Sequence, residues 1–409
     1  MALLRRLASF SAIPAISALI PFLVLPFLAR SAGADAWVAI AVGQSVGGFL
    51  ALVVSLGLNV VGPTLVATTP EAERPALFAD GTRARLLAAV PAAAVGAIVA
   101  ALLSPASEAL SGALMAVAIT FGGLSSGWYL IGLGRPLPLI TYELVPRAIA
   151  TAAGAAVVIA GGSAAWYPAL LLVAVLGGVG AYASRVVSPR LLLTTGWRAS
   201  ATLARRNLAA AATETVSGAY TTLAVSLVTG AASTAQAAAY VSGDKLFRMG
   251  QTVVGAQGNA LQGWVVEDER AHLVARARTA VLLHGALGLA GLAAFALLGP
   301  WLTAVLFGEK VAIDRMTAVL FGVAILCVSL TTALGRHVLV AYGRSRDLFV
   351  SVISGAVVGV PATLILAGLL GAPGGAIGLA SAEAVVLAVQ LGYVIRLRGR
   401  ERVRVREEA

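Results

Sequence analysis

The chain has 409 residues, 59% of them apolar and 11% charged, with a formal net charge of +11 and a single cysteine. A water-facing domain of this size carries about 25% charged residues, so the composition excludes a mainly aqueous surface and makes hydrocarbon the solvent for most of it. Cys327 alone excludes an intramolecular disulfide and a cysteine-based metal site.

A helix that crosses a bilayer needs about 20 mostly apolar residues. Twelve stretches qualify. The first, 7–29, follows Met-Ala-Leu-Leu-Arg-Arg, which looks like the start of a signal peptide. It is too long for a signal core and eleven more spans follow, so it reads as retained. Pro14, Pro21 and Pro26 all fall in it, which predicts a kinked helix repaired by its neighbours or a bending helix that lines a cavity. The second, 38–62, carries Gly43-x-x-x-Gly47, a pattern for close helix packing. The third and fourth are 82–104 and 109–132. The fifth, 141–161, holds Glu143 and Arg147, and the sixth is 164–186. After the connection 187–206, the seventh (207–229) has Glu214 near its cytoplasmic end. The eighth (235–264) contains Tyr-Val-Ser-Gly-Asp-Lys-Leu-Phe-Arg-Met-Gly-Gln, with Asp244, Lys245 and Arg248 inside about one turn. The last four are 279–307, 316–341 with Arg336, 347–370, and 373–395 with Glu383 near its middle. The Val-Arg-Val-Arg-Glu alternation of the tail 396–409 looks strand-like but reads as a solvated or lipid-facing basic segment.

Orientation follows from the basic residues. With the N-terminus inside, 22 of the 29 lysines and arginines fall in cytoplasmic connections and adjoining span ends, including the six from Arg396 to Arg406. Arg74, Arg83 and Arg85 are counted in this group. Only Arg30, Lys310 and Arg315 lie in outer connections, and Arg147, Lys245, Arg248 and Arg336 lie deeper in spans. This asymmetry predicts both termini in the cytoplasm and a multi-pass protein of the cytoplasmic (inner) membrane. It also explains the net charge without nucleic acid as a partner.

The longest connections, 63–81, 187–206 and 265–278, are expected on the cytoplasmic side. The outer ones are short, at 30–37, 105–108, 162–163, 230–234, 308–315 and 371–372. None has room for the catalytic groups that membrane-embedded glycosyltransferases and polymerases carry. There is no Walker loop, zinc-ligand spacing or Ser-His-Asp cluster, and His272, His284 and His337 lie on different segments and read as packed or solvated. An enzyme, a cofactor and a metal site are therefore not expected.

The connection 187–206 divides the spans six and six. A shift of 200 residues places Gly43 on Gly243, Val53-Val54 on Val253-Val254 and Asn59 on Asn259, the offset a parallel repeat would produce. The expected organisation is an N-terminal six-helix lobe (1–200), a C-terminal six-helix lobe (201–395) and a basic cytoplasmic tail (396–409). The two lobes are expected to be related by a pseudo-two-fold axis along the membrane normal.

An ionisable group in mid-membrane costs several kcal/mol, so each should be paired or face water. Asp244 and Arg248, like Glu143 and Arg147, are four residues apart and can pair along one helix face. No acid stands four residues from Lys245 or Arg336. Lys245 is about ten residues, roughly 15 Å of rise, from the outer end of its span, too far for its stem to reach the interface comfortably.

Several stretches, taken in order, resemble bacterial polysaccharide flippases. They are Gly-Trp-Tyr-Leu-Ile-Gly-Leu-Gly-Arg-Pro through 127–150, Ala-Ala-Ala-Tyr-Val-Ser-Gly-Asp-Lys-Leu-Phe-Arg (237–248), Val-Leu-Phe-Gly-Glu-Lys-Val (305–311), 338–348, and Gly-Ala-Pro-Gly-Gly-Ala-Ile-Gly-Leu-Ala-Ser-Ala-Glu (371–383). The N-terminal 36–67 fits their second span. These flippases belong to the multidrug/oligosaccharidyl-lipid/polysaccharide (MOP) exporter superfamily. The resemblance implies an all-α polytopic protein of about twelve transmembrane helices, in two six-helix lobes around a central V-shaped cavity, working by alternating access. It implies an undecaprenyl-pyrophosphate-linked oligosaccharide of the polysaccharide or O-antigen type as substrate, with functional coupling to glycan polymerisation machinery. The twelve expected spans do not include the two extra C-terminal ones of the peptidoglycan-precursor branch, which makes that branch the less expected assignment.

On this reading, Lys245, Arg248, Arg147 and Arg336 are candidates to bind the pyrophosphate, since arginine offers a planar fork of donors and lysine a mobile ammonium. Lys245 and Arg248 are expected to face the cavity, with Asp244 holding Arg248. Asp244, Glu143 and Glu383 are candidate charge partners or coupling groups for a proton or sodium ion. Trp128, Tyr142, Tyr220 and Tyr240 are candidate sugar contacts, or packing and interface anchors. Two rival readings remain open: a multidrug/cation antiporter of the same superfamily, which would want excess acid in its cavity, and a non-transporting membrane scaffold.

Overall fold

The computed structural model describes the backbone of every residue except 1, 136, 189–195, 267–269, 341 and 408–409; side chains are further left undescribed at 2–23, 25, 213, 217, 220, 262–264, 266, 270–273, 345 and 398–407. Every regular element among the described residues is helical. Nine helical segments among them are long and apolar enough to cross a membrane. The other three expected spans are helical too. Helical backbone covers 7–29, 208–229 and 235–264.

Two compact units divide the chain, Met1–Thr229 and Gly230–Ala409. In the first, α1 (Ala2–Ser55) bends at Gly33 (φ 81), so the connection expected at 30–37 is a kink within helix. After a break at Leu56 and Gly57 come α2 (Leu58–Thr68) and α3 (Arg74–Leu103). The loop expected over 63–81 is therefore largely helix: the polar residues that suggested a loop lie where helices project past the apolar span. Next are α4 (Ala109–Gly122) and α5 (Gly127–Leu133), then a π-helical turn (Ile140–Leu144) that continues into α6 (Val145–Ile159). The single span expected at 109–132 is thus broken at 123–126. The unit closes with α7 (Trp166–Val186), α8 (Trp197–Arg206) and most of α9 (Leu208–Ala231).

The second unit holds α10 (Thr234–Val266), α11 (Arg270–Phe307) and α12 (Arg315–Thr332), the last running into a π-helical turn (Ala333–Leu339). It ends with α13 (Ser345–Leu370) and α14 (Ala372–Glu407). The loop expected over 265–278 is also mostly helical, and helical backbone runs through the expected tail to Glu407.

Small residues set the packing. Gly43 and Gly47 lay α1 directly on the backbone of Gly112 and Ala116 in α4. In the second unit Gly243 of α10 sits against the Phe321 ring of α12, and Gly355 and Gly359 of α13 sit against Ala382 of α14. Large apolar side chains point outward, with Leu102, Leu297 and Leu369 each more than 70% exposed. That pattern suits helices whose outer faces meet lipid and whose contacts rely on close approach.

Candidate functional site

In the C-terminal unit the chemistry gathers on α10. Helical spacing puts Tyr240, Asp244 and Arg248 in one stripe. Arg248 donates from Nε to Asp244 Oδ2 at 2.7 Å. The Asp244 side chain is buried, while a third of the Arg248 side chain stays exposed. Lys245 is buried at 7% exposure. Tyr240 is fully buried beside Phe321, with ring centroids 5.4 Å apart, and its hydroxyl has no hydrogen-bond partner. The turn carries two bases and one acid in five residues.

Arg336 stands in the π turn after α12. Its Nη1 donates to Asn259 Oδ1 on α10 at 2.7 Å, so an amide 77 residues away in sequence meets a base that has no acid four residues away. Asn259 lies about three turns beyond Arg248 along α10. Glu383 is buried on α14.

In the N-terminal unit Glu143 and Arg147 are paired at 3.1 Å, but Glu143 has a second task. Its other oxygen accepts from the Ser126 amide at 2.8 Å, inside the break between α4 and α5. The carbonyls of that break are met by Arg85, which donates from Nη1 to the oxygens of Ser125 (2.8 Å) and Gly123 (3.2 Å). Arg85 also lies 5.5 Å from the centre of the Trp128 ring. Positive-inside reasoning placed Arg85 at a cytoplasmic span end, and the structure buries it at 1% exposure. A helix interrupted in apolar surroundings must have its freed backbone groups satisfied internally, and Arg85 and Glu143 do this from opposite sides. The Gly123–Ser126 segment was the available sequence signal: Gly-Gly-Leu-Ser-Ser-Gly is a poor helix former.

A second polar group in this unit is Glu214, whose carboxylate accepts from Ser55 Oγ (2.7 Å) and Asn59 Nδ2 (2.9 Å), one on each side of the Leu56–Gly57 break. Ser45 meanwhile ties α1 to α9 through Ser226 and the Thr222 carbonyl.

The aromatic candidates divide. Trp128 and Tyr240 are fully buried and pack in the core, whereas Tyr142 is half-buried between Tyr182 and the Arg185 guanidinium. The Tyr220 side chain lies outside the described residues, as does that of His272. Asp244, Lys245 and Arg248 share one turn of α10, and Arg336 meets the same helix about three turns further on. It places Glu143 and Arg147 in the other unit. His284 and His337, read from sequence as packing or solvated residues, are brought side by side.

No protein-family model matches the sequence, and no curated protein matches it. Solved structures do. A lipid II flippase, MurJ, in an inward closed conformation superposes with a TM-score of 0.76 at 11% identity, covering 94% of this chain and 87% of that one. An inward-facing multidrug resistance transporter of the MATE family and MOP superfamily gives 0.65 at 16% identity, covering 97% and 99%. A eukaryotic MATE transporter gives 0.58 at 16% identity, covering 96% and 95%. These neighbours are transporters, not enzymes. At such identities the likeness establishes the fold: this chain is an all-helical, multi-pass membrane protein with the architecture shared by that flippase and the MATE transporters of the MOP superfamily.

Proposed function

We propose that the chain is a transporter that moves an anionic, lipid-linked oligosaccharide across the cytoplasmic membrane by alternating access. The substrate class is an undecaprenyl-pyrophosphate-linked repeat unit of the polysaccharide or O-antigen type. The observation that carries this reading is the charged turn of α10. It holds two bases to one acid, and the acid is already bonded to Arg248. A net positive turn in apolar surroundings suits a pyrophosphate leaving the headgroup zone, and an exporter of organic cations would want the opposite sign. Lys245 and Arg248 are the principal phosphate ligands, and Arg336 is an accessory one. Asp244 holds Arg248 in position. Both termini lie in the cytoplasm.

The likeness to multidrug transporters keeps a second reading in view, and the same experiment separates the two. Surface glycan is measured in a deletion strain complemented with each variant and normalised to protein level. Lys245→Ala/Arg248→Ala is expected to abolish export while the protein still inserts. Arg248→Lys is expected to restore less than half, because the guanidinium fork is lost. Full export by the double variant, or unchanged glycan with a gain in sensitivity to cationic drugs on deletion, overturns the proposal.

A further inference from the structure

Two buried imidazoles form a feature that the transport reading does not use. His284 on α11 is fully buried, and His337 in the π turn after α12 is 1% exposed. Their ring centroids are 5.6 Å apart. For an N–H···N hydrogen bond joining two imidazoles end to end, centroids stand about 5 Å apart, and these rings, tilted by 42°, are near that separation.

The surrounding hydrogen bonds fix one tautomer. Ser329 Oγ donates its only proton to the His284 carbonyl at 2.7 Å. The same oxygen lies 3.2 Å from His284 Nδ1 and can therefore only accept there. Nδ1 of His284 carries the hydrogen, and in the neutral ring Nε2 is the lone-pair base. That Nε2 has no partner, nor has either nitrogen of His337. Against the same π turn, next to Gly335, lies buried Gln390, which donates to Ser351 Oγ at 3.2 Å and leaves its Oε1 without a partner.

Polar atoms left over in apolar surroundings are costly unless a ligand completes them. We propose that the His284–His337 pair is a proton-binding site: one proton adds to the lone pair of His284 Nε2, and the resulting N–H is shared with a lone pair of a His337 ring nitrogen. No bond other than this N–H forms or breaks, and the pair takes one positive charge.

A second proton would add positive charge beside both the first and Arg336. Arg336 precedes His337 in the chain and keeps its guanidinium on Asn259 of α10. On α13 Asp347 is engaged with Arg344. On α14 Tyr393 and Arg396 lie three and six residues beyond Gln390, and buried Glu383 lies seven before it. On α12 Cys327 is buried, and on α11 Arg278 is exposed. The Asp244–Arg248 turn of α10 is about three turns from Asn259.

If the transport reading holds, this proton is a coupling ion, so that use of the site rests on that reading; the site itself does not. The chain has three histidines, which makes a direct test practical. The full-length protein, labelled with nitrogen-15 histidine and held in lipid nanodiscs, is titrated from pH 8.5 to 4.5 by NMR. The expected result is a neutral Nδ1–H tautomer for His284 and one shared protonation step seen at both buried rings. His337→Gln should weaken proton binding at His284 by about tenfold or more. Independent titration of the two rings, or two neutral rings throughout, overturns the proposal, as does an unchanged His284 titration in His337→Gln. Tight zinc binding that displaces the shared step overturns it as well. A parallel assay in proteoliposomes follows a fluorescent lipid-linked pyrophosphate under an imposed pH gradient. A shared step without substrate movement leaves the proton site standing and sinks the transport reading; movement without a shared step does the reverse.

Discussion

Two turns, one in each compact unit, are built on the same backbone pattern. Gly134 ends α5 and Gly343 lies four residues past the π turn after α12, with φ of 67° and 71°. Each glycine amide bonds to the carbonyl three residues back, Ile131 or Val340, at 3.0 Å. The arginine that follows, Arg135 or Arg344, reaches five residues back to Leu130 or Leu339, at 3.0 and 2.8 Å. This is the Schellman arrangement, made twice from Gly-Arg. What surrounds the two turns differs. In the first unit the charges nearby serve the backbone: Glu143 holds the Ser126 amide and Arg85 the carbonyls of Gly123 and Ser125. In the second the buried groups are imidazoles and an amide with ring nitrogens and an oxygen to spare. The same local fold thus carries a polar set that repairs a broken helix in one case and a polar set available to a ligand in the other.

Substitution is the sharpest way to break that contrast. Arg85→Met removes the donor to two carbonyls of an interrupted helix and leaves buried Glu143 with less positive charge beside it. The expected loss is about 3–5 kcal/mol, the cost typical of stripping one partner from a buried charge network. His337→Leu removes unpartnered atoms instead and should change stability by under about 1.5 kcal/mol. Tryptophan-fluorescence melting in detergent measures both. Equal destabilisation by the two would erase the distinction between repair and ligand sites.

Glu143 gives the next largest effect and a finer comparison. In Glu143→Gln the amide oxygen still accepts from Ser126, whereas Glu143→Ala leaves that buried N–H unsatisfied. The alanine variant should cost about 1–3 kcal/mol more than the glutamine one. A glutamine variant as unstable as the alanine one would show that charge on Arg147, not the backbone of the break, is what Glu143 serves.

The glycines that suggested an internal repeat can be compared in the same way. A Cβ on Gly43 meets the Gly112 carbonyl at 2.5 Å, and one on Gly243 meets the ring of Phe321. Backbone cannot move aside, and a ring can turn. Gly43→Ala should fall near the top of the 1–3 kcal/mol range usual for overpacking and Gly243→Ala near the bottom, read as melting temperature. The reverse order would mean that the α10–α12 contact is the more rigid.

How much of this was legible beforehand depends on whether the signal was local. Apolar run length marked the spans, and four-residue spacing marked the pairs Asp244–Arg248 and Glu143–Arg147, because both are properties of one helix. Arg336 on Asn259, Ser55 with Asn59 on Glu214, and the imidazole pair join helices far apart in sequence, and no spacing rule reaches them. The burial of Arg85 was missed for a different reason. Counting it with the cytoplasmic basic residues says nothing of what it touches, and the carbonyls of the break at 123–126 that it meets lie 38 and 40 residues away. The long connections were overestimated because composition turns polar where a helix leaves lipid, even when the helix continues, as in α2, α3 and α14.

The smallest predicted effect tests the repeated turn itself. An alanine in the left-handed region costs about 1–2 kcal/mol relative to glycine. Against this, replacing glycine restricts the unfolded chain and returns about 0.4–1 kcal/mol. Nothing lies within 4 Å of a Cβ on Gly343, so no clash is added there. Gly343→Ala should therefore lower stability by only about 1 kcal/mol, and Gly134→Ala, at nearly the same φ, by a similar amount. Asparagine, which tolerates the left-handed conformation, should be milder than alanine at both sites. Thermal melting of the four single variants is the measurement. Matching alanine losses, each relieved by asparagine, are expected if the two Gly-Arg turns are the same device. A loss at Gly134 several times that at Gly343 would instead mean that the first turn is held by packing that the second lacks, and the resemblance between the turns would be confined to their hydrogen bonds.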